Sequence, residues 1–260
     1  MGNWSTFTAR LSLFIPPAAA VEKAVEIYQR LWETFPDGYQ SDPNPLAPSI
    51  ARAKRNNLSL ACQSARSRID ISFSAVPREK GANLDLIQDS SELLAELRRV
   101  ITGLNGRGPR SPVMRVALIL QVVSPSSSVP EANRELAKIM PPDYRLKLTD
   151  ETDFILQVNH PLESVGSSRR QINFIKKWST ERIQIQFFEV PGGAGAAPIH
   201  SAAINPMTEK EFTVSSVTLD INNSPTNESL PPPTQAEILG GAVSMASEFL
   251  RKSDLHITGF

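Results

Sequence analysis

The chain has 260 residues, 40% of them apolar and 21% charged, and its 27 basic side chains balance 27 acidic ones to a formal net charge of zero. A chain of this size and composition buries a core without covalent staples, and its neutrality excludes a global electrostatic pull toward nucleic acid or membrane. The single cysteine, Cys62, excludes internal disulfides and a cysteine-based zinc cluster. A reducing cytoplasm is therefore the expected compartment. Charge is unevenly spread. Residues 1–150 hold 19 Lys and Arg against 15 Asp and Glu, and residues 151–260 hold 8 against 12, a difference of +4 and −4.

The first predicted strand is Thr6–Pro16, where Phe7, Ala9, Leu11 and Leu13 alternate with polar residues. A helix is expected over Ala18–Phe35, because Val21, Ala24, Val25, Tyr28, Leu31, Trp32 and Phe35 fall on one stripe. Residues 36–49 hold four prolines and an Asp-Gly pair and read as a long loop. Strands follow at 57–62 and 66–76, joined through Gln63-Ser-Ala-Arg66. Cys62 sits at the end of the first of these and reads as a small buried hydrophobe, since nothing nearby would lower its pKa.

A second helix is predicted from Ser90 to Leu104, with Asp89 and Glu92 spaced as a capping box. Val113–Val123 is a near-continuous apolar run of strand length, the mark of a central strand buried on both faces. A short helix over 130–140 follows, with Pro130 near its start. The second half is richer in strands, at 144–149, 153–159, 171–178, 181–190 and 213–222, with a tight hairpin through Trp178-Ser-Thr-Glu181. A C-terminal helix over Gln235–Lys252 has Thr234 and Glu237 as its capping pair, and Gly240 and Gly241 allow close packing on a sheet. This order predicts an α+β fold of largely antiparallel sheet in two lobes, 1–141 and 142–260, or one continuous domain. No residue-level repeat between the halves is visible.

The most motif-like segment is Phe187–His200, with Gly192, Gly193 and Gly195. A dinucleotide fingerprint needs an apolar strand before the glycines and a helix after them. Here Ile183, Ile185 and Phe187 alternate with Arg182, Gln184 and Gln186, and no helical period follows, so 191–210 reads as a connection between antiparallel strands. No Walker loop, no G-x-S-x-G elbow and no zinc spacing occurs. Of the three histidines, His160 with Asp153 or Glu163 is the least implausible general base, and Asp220 is the carboxylate most easily placed in a cleft. Neither carries a catalytic assignment, and no cofactor or metal is expected.

Three basic stretches are nearly free of acids: Arg52, Lys54, Arg55, Arg66 and Arg68; Arg98, Arg99, Arg107, Arg110 and Arg115; and Arg169, Arg170, Lys176, Lys177 with Trp178. The third is the expected anion or nucleic-acid contact, with Trp178 as a stacking surface. No apolar run reaches the length of a membrane span. Gly2 with Thr6 fits a myristoylation pattern, but no second anchor accompanies it, so no membrane partner is expected. The expected function is a non-enzymatic cytoplasmic protein that binds another protein or itself, as bacterial accessory, immunity or defence-associated proteins do. Two further readings stay open: a nucleic-acid-binding module, and an enzyme without a short sequence signature.

Overall fold

Alternation along the strands decides the architecture, because it sends every second side chain to the same face of the sheet. The computed structural model describes residues 3–42, 44, 47–77, 83–141, 154–162, 170–188, 206–253, 255 and 257. In chain order its elements are β1 (Ser5–Phe14), α1 (Ala24–Trp32), β2 (Gly38–Gln40), β3 (Ser49–Arg55), β4 (Leu58–Ala65), β5 (Arg68–Ala75), α2 (Ser90–Arg107), β6 (Arg115–Ser126), α3 (Val129–Ile139), β7 (Ile155–Leu162), β8 (Ile172–Phe188), β9 (Pro206–Asn223) and α4 (Pro232–Lys252). The fold is mixed α+β. All nine strands form one sheet in the order β2-β3-β4-β5-β1-β6-β9-β8-β7, and every pairing is antiparallel.

Register makes one face of this sheet apolar. Ala51, Cys62, Ile71, Leu11, Leu118, Ile221 and Phe174 lie in one row across seven strands, and all are buried. The helices pack on this face. The α1 backbone meets Ser49, whose hydroxyl accepts from Ala24 N–H at 2.9 Å. The α3 helix is held by Ser215, which donates to the Ala132 carbonyl, and by Thr180, which donates to Asn133. Phe249 of α4 meets Phe174 and Trp178 edge-on. The α2 helix packs against α1 and α4 and touches the sheet through Ser90 and Thr6. Close approach of α1 and α2 uses Gly103, where a Cβ would stand 3.2 Å from Leu31 Cδ2. Gly240 is different: a Cβ built there would meet nothing within 4 Å, so no close approach depends on it.

The topology repeats. A β-α-β-β-β-α unit runs through β1, α1, β3, β4, β5 and α2, and again through β6, α3, β7, β8, β9 and α4. The sheet order of the two units is mirrored, β3-β4-β5-β1 against β6-β9-β8-β7, so a pseudo-twofold axis passes between β1 and β6. The sheet runs unbroken across the expected lobe boundary at 141/142, and the repeat turns over earlier, at 108–114 between α2 and β6. Two additions break the symmetry. One is the three-residue edge strand β2. The other is a ribbon in which β8 and β9 pair beyond the end of β6, from Ile183 opposite Phe212 to Phe188 opposite Pro206.

Several local expectations are corrected. The hairpin through Trp178–Glu181 does not form, because β8 is continuous there. Trp178 is buried under α4, and the Ser and Thr hydroxyls that suggested a turn bond to Glu181 and Asn133. The first helix is shorter than its apolar stripe, since Glu33 adopts a left-handed conformation (φ 56°) and ends it, which leaves Phe35 outside and exposed. The β4–β5 turn falls at Arg66-Ser67, and β3 was not foreseen. Neither capping box closes: Asp89 caps Ser91 N–H while Glu92 accepts from Asn57, and α4 starts at Pro232 without a side-chain cap. The strand predicted at 144–149 lies outside the described residues.

A carboxylate helps to fasten the connection between the repeats, alongside the bond from the Ser111 hydroxyl to the Ala20 carbonyl. Glu22, just before α1, accepts from the backbone N–H groups of Arg110 and Ser111 and pairs with Arg30. Glu22→Ala removes the acceptor of these two donors, one exposed and one part-buried, and the partner of Arg30, and we expect a loss of about 0.5–1.5 kcal/mol. Urea unfolding measures it, and a loss within error of zero would show that the joint stands without Glu22.

Candidate functional site

The opposite face of the sheet is polar, and among the described residues no helix packs on it. Its central row reads Gln63, Asp70, Ser12, Ala117, Asn222, Asn173 from β4 to β8. One end of the face is closed by a small apolar cluster in which Leu84 and Leu86 cover Val123, Val214, Phe7 and Ile183. The chain reaches this point because Ile87 pairs with Thr6 beside the β1 bulge at Phe7. The rest of the face carries hydroxyls, amides and charges, with Phe14, Ile50, Ile119, Ile155 and Ile175 among them.

Three hydrogen-bonded knots organise it. Ser12 donates to Asp70 at 2.6 Å, and Arg68 pairs with the same carboxylate at 2.8 Å. Asn173 donates to Asn222, which donates to Asp220 at 2.8 Å. Glu181 accepts from Lys177 at 2.8 Å, Ser179 at 2.6 Å and Gln121 at 2.9 Å. Partial burial of Glu181 works to raise its pKa, but the bonds from Lys177, Ser179 and Gln121 outweigh it and hold the carboxyl below the usual range. Apart from the projecting ribbon, the described charges here are Arg10, Arg52, Lys54, Arg68, Arg115 and Lys177 against Asp70, Asp220 and Glu181, six cations to three carboxylates.

The expected anion contact is divided by this geometry. Lys176 and Lys177 point to opposite faces of β8. Lys176 lies over the Phe174 and Phe249 rings on the helix side, where burial lowers its pKa, while Lys177 joins Glu181 on the polar side. Trp178 is buried in the core and offers no stacking surface. Arg170 pairs with Glu228, and Arg169 lies outside the described residues. Of the other basic stretches, Arg52, Lys54, Arg68 and Arg115 reach the polar face, whereas Arg99 pairs with Glu96 and Arg107 with Glu33 around the helices. The residues that do gather on this face come from β1, β3, β5, β6, β8 and β9. Only the single polar positions of each alternating strand announced them.

The other candidates are now placed. His160 is exposed on β7, opposite Phe174, while Asp153, Glu163, His200 and His256 lie outside the described residues. Asp220 lies within β9 on the polar face rather than in a cleft. The 189–205 segment with Gly192–Gly195 lies outside the described residues; β8 and β9 that it joins are antiparallel, and β9 starts at Pro206, inside the stretch 191–210 expected to be a connection. Among the described residues no three metal-binding side chains gather, and no helix is long and apolar enough to cross a membrane. A cleft of about 400 Å³ lies at the start of α2, where Asp89 and Glu92 already serve Ser91 and Asn57. A wide-open one of about 440 Å³ is lined by Glu26, Gln29, Arg30 and Arg110. No family model, curated protein or solved structure matches this chain.

Two outcomes follow from these environments. Burial pushes the Cys62 thiol up to about 12, so native protein should resist iodoacetamide at neutral pH and label only as fast as it unfolds. Rapid labelling of the native state would contradict this. Because the folded pKa of Glu181 is depressed, its contribution to stability is present above the ordinary glutamate range and is lost as pH falls through the lowered value. Glu181→Gln should therefore flatten the acid limb of stability against pH, and an unchanged limb would place the acid sensitivity elsewhere.

Proposed function

We propose that this chain is a non-catalytic scaffold that receives another protein on the helix-free face of its sheet. The observation that carries this reading is the one-sidedness of the fold: all four described helices pack on one face, and the other presents polar and charged groups on the sheet. Nine strands spaced about 4.8 Å apart make a surface roughly 40 Å across, enough for an interface of ordinary size. Ile155, 68% exposed on β7, adds an apolar contact on that face. The catalytic candidates are scattered rather than convergent, which favours binding over turnover. A reducing cytoplasm is the compartment this reading takes, supported by one buried thiol. Nucleic acid is the second reading, favoured by the cation surplus of the same face.

A tagged pull-down from the native host, with and without nuclease, tests the proposal with three baits: wild type, a Ser74→Trp, Thr218→Trp double variant on the polar face, and Ala95→Trp on the exposed side of α2. A protein partner that survives nuclease, is lost from the double variant and stays with Ala95→Trp is the expected result. A partner retained by all three baits would refute the face assignment, and one released by nuclease would favour nucleic acid.

A further inference from the structure

Two arginines on the polar face differ from their neighbours. Arg10 lies midway along β1, the central strand of the nine, and Arg115 opens β6 beside it. Both are half-buried, and both have an Nε that is buried without an acceptor. Neither meets a carboxylate among the described residues, although Arg68 and Lys177 on the same face do. A partly desolvated guanidinium without an acceptor has given up water for little in return. Its planar fork is suited to a bidentate carboxylate.

The ground between the two arginines offers no free side-chain hydrogen-bonding group. Ser12 and Ala117 sit opposite each other across the β1–β6 seam, and both are fully buried. The Ser12 hydroxyl is committed to Asp70, and the Arg115 guanidinium lies 5.0 Å from the centre of the Phe14 ring. Register puts Arg10 opposite Ile119 and Arg115 opposite Phe14, four residues apart along the strand direction. That is about 13 Å along the seam and one strand across it. Carboxylates at positions i and i+4 of an extended chain have the same separation. The carboxylates that flank the seam are occupied, Asp70 by Arg68 and Ser12, and Asp220 by Asn222, so they confine an acidic visitor to the seam. Phe14 is covered by Arg115, and no other aromatic ring lies on the central part of this face among the described residues, so bases would find no platform.

We propose that Arg10 and Arg115 are the anchors for an extended acidic segment of a partner protein, lying along the β1–β6 seam with carboxylates about four residues apart. This rests on the reading of the helix-free face as the recognition surface and names the chemistry it selects.

The test is fluorescence anisotropy of the full chain with a fluorescein-labelled Ser/Glu peptide whose glutamates are four residues apart, and with a labelled oligodeoxythymidine alongside. The peptide should bind with strong salt dependence. Arg10→Gln and Arg115→Gln should each weaken it about tenfold, while Arg98→Gln on α2 leaves it unchanged. Absence of peptide binding, or seam variants that bind as tightly as wild type, overturns the proposal. Tighter binding of the oligonucleotide that is lost in the same variants overturns the acidic-peptide assignment. Should either variant fail to fold by circular dichroism, phenylglyoxal labelling of the wild type decides: protection of Arg10 and Arg115 by the peptide supports the seam, and undiminished labelling of both refutes it. A natural partner captured equally by the seam variants and wild type, yet lost from the Ser74→Trp, Thr218→Trp variant, refutes the anchors while the face reading survives.

Discussion

Everything in this molecule depends on the two-residue period of its strands. Once Ala9, Leu11 and Leu13 face one way in β1, Ile69, Ile71 and Phe73 must face the same way in β5, and Val116, Leu118, Leu120 and Val122 in β6. A one-residue slip anywhere would carry a buried row to the wet side. The helices then have a single face to cover. The other face is left mostly to Ser, Thr, Asn, Gln and charge, and among the described residues the polar knots around Asp70, Asn222 and Glu181 order it without a helix packed on it.

The mirrored order of the two repeats follows from the same constraint. Each β-α-β-β-β-α unit alone would leave one long strand, β1 or β6, with an unpaired edge, which invites association. Pairing β1 with β6 closes both edges and brings α2 against α4 over the seam. Glu22 helps to fasten the connection that makes this possible. The seam is thus both the structural centre of the sheet and the line along which lie the two arginines that meet no carboxylate among the described residues.

Much of this was legible in the sequence where a segment's own residues decided it. The stripe from Ala24 to Trp32, the alternation in β1 and β5 and the apolar run of β6 all announced themselves, but β6 is covered by helices on one face only, since Arg115, Ile119 and Gln121 lie on the polar side. The misses have a common cause. The inward positions of β3 are Ser49, Ala51 and Ala53, too small to read as an apolar face, and only their partners on β4 and the helix α1 above them make the strand. The Trp178–Glu181 hairpin was inferred from local turn chemistry that Asn133 and the neighbouring strands override. The repeat was invisible because it is a repeat of pairing, not of residues. The polar face could not be assembled from runs of basic residues, since adjacent positions such as Lys176 and Lys177 part to opposite sides.

The central claim is that one face of the sheet is dry beneath helices and the other, among the described residues, is free of them. Cysteine accessibility along β5 tests it most directly. In a Cys62→Ser background, single cysteines at Ile71, Ser72, Phe73 and Ser74 are exposed to a thiol reagent under native conditions. The account predicts alternation, with Ser72→Cys and Ser74→Cys reacting rapidly and Ile71→Cys and Phe73→Cys protected. Equal reactivity at all four positions, or protection of the Ser72 and Ser74 positions, would contradict it.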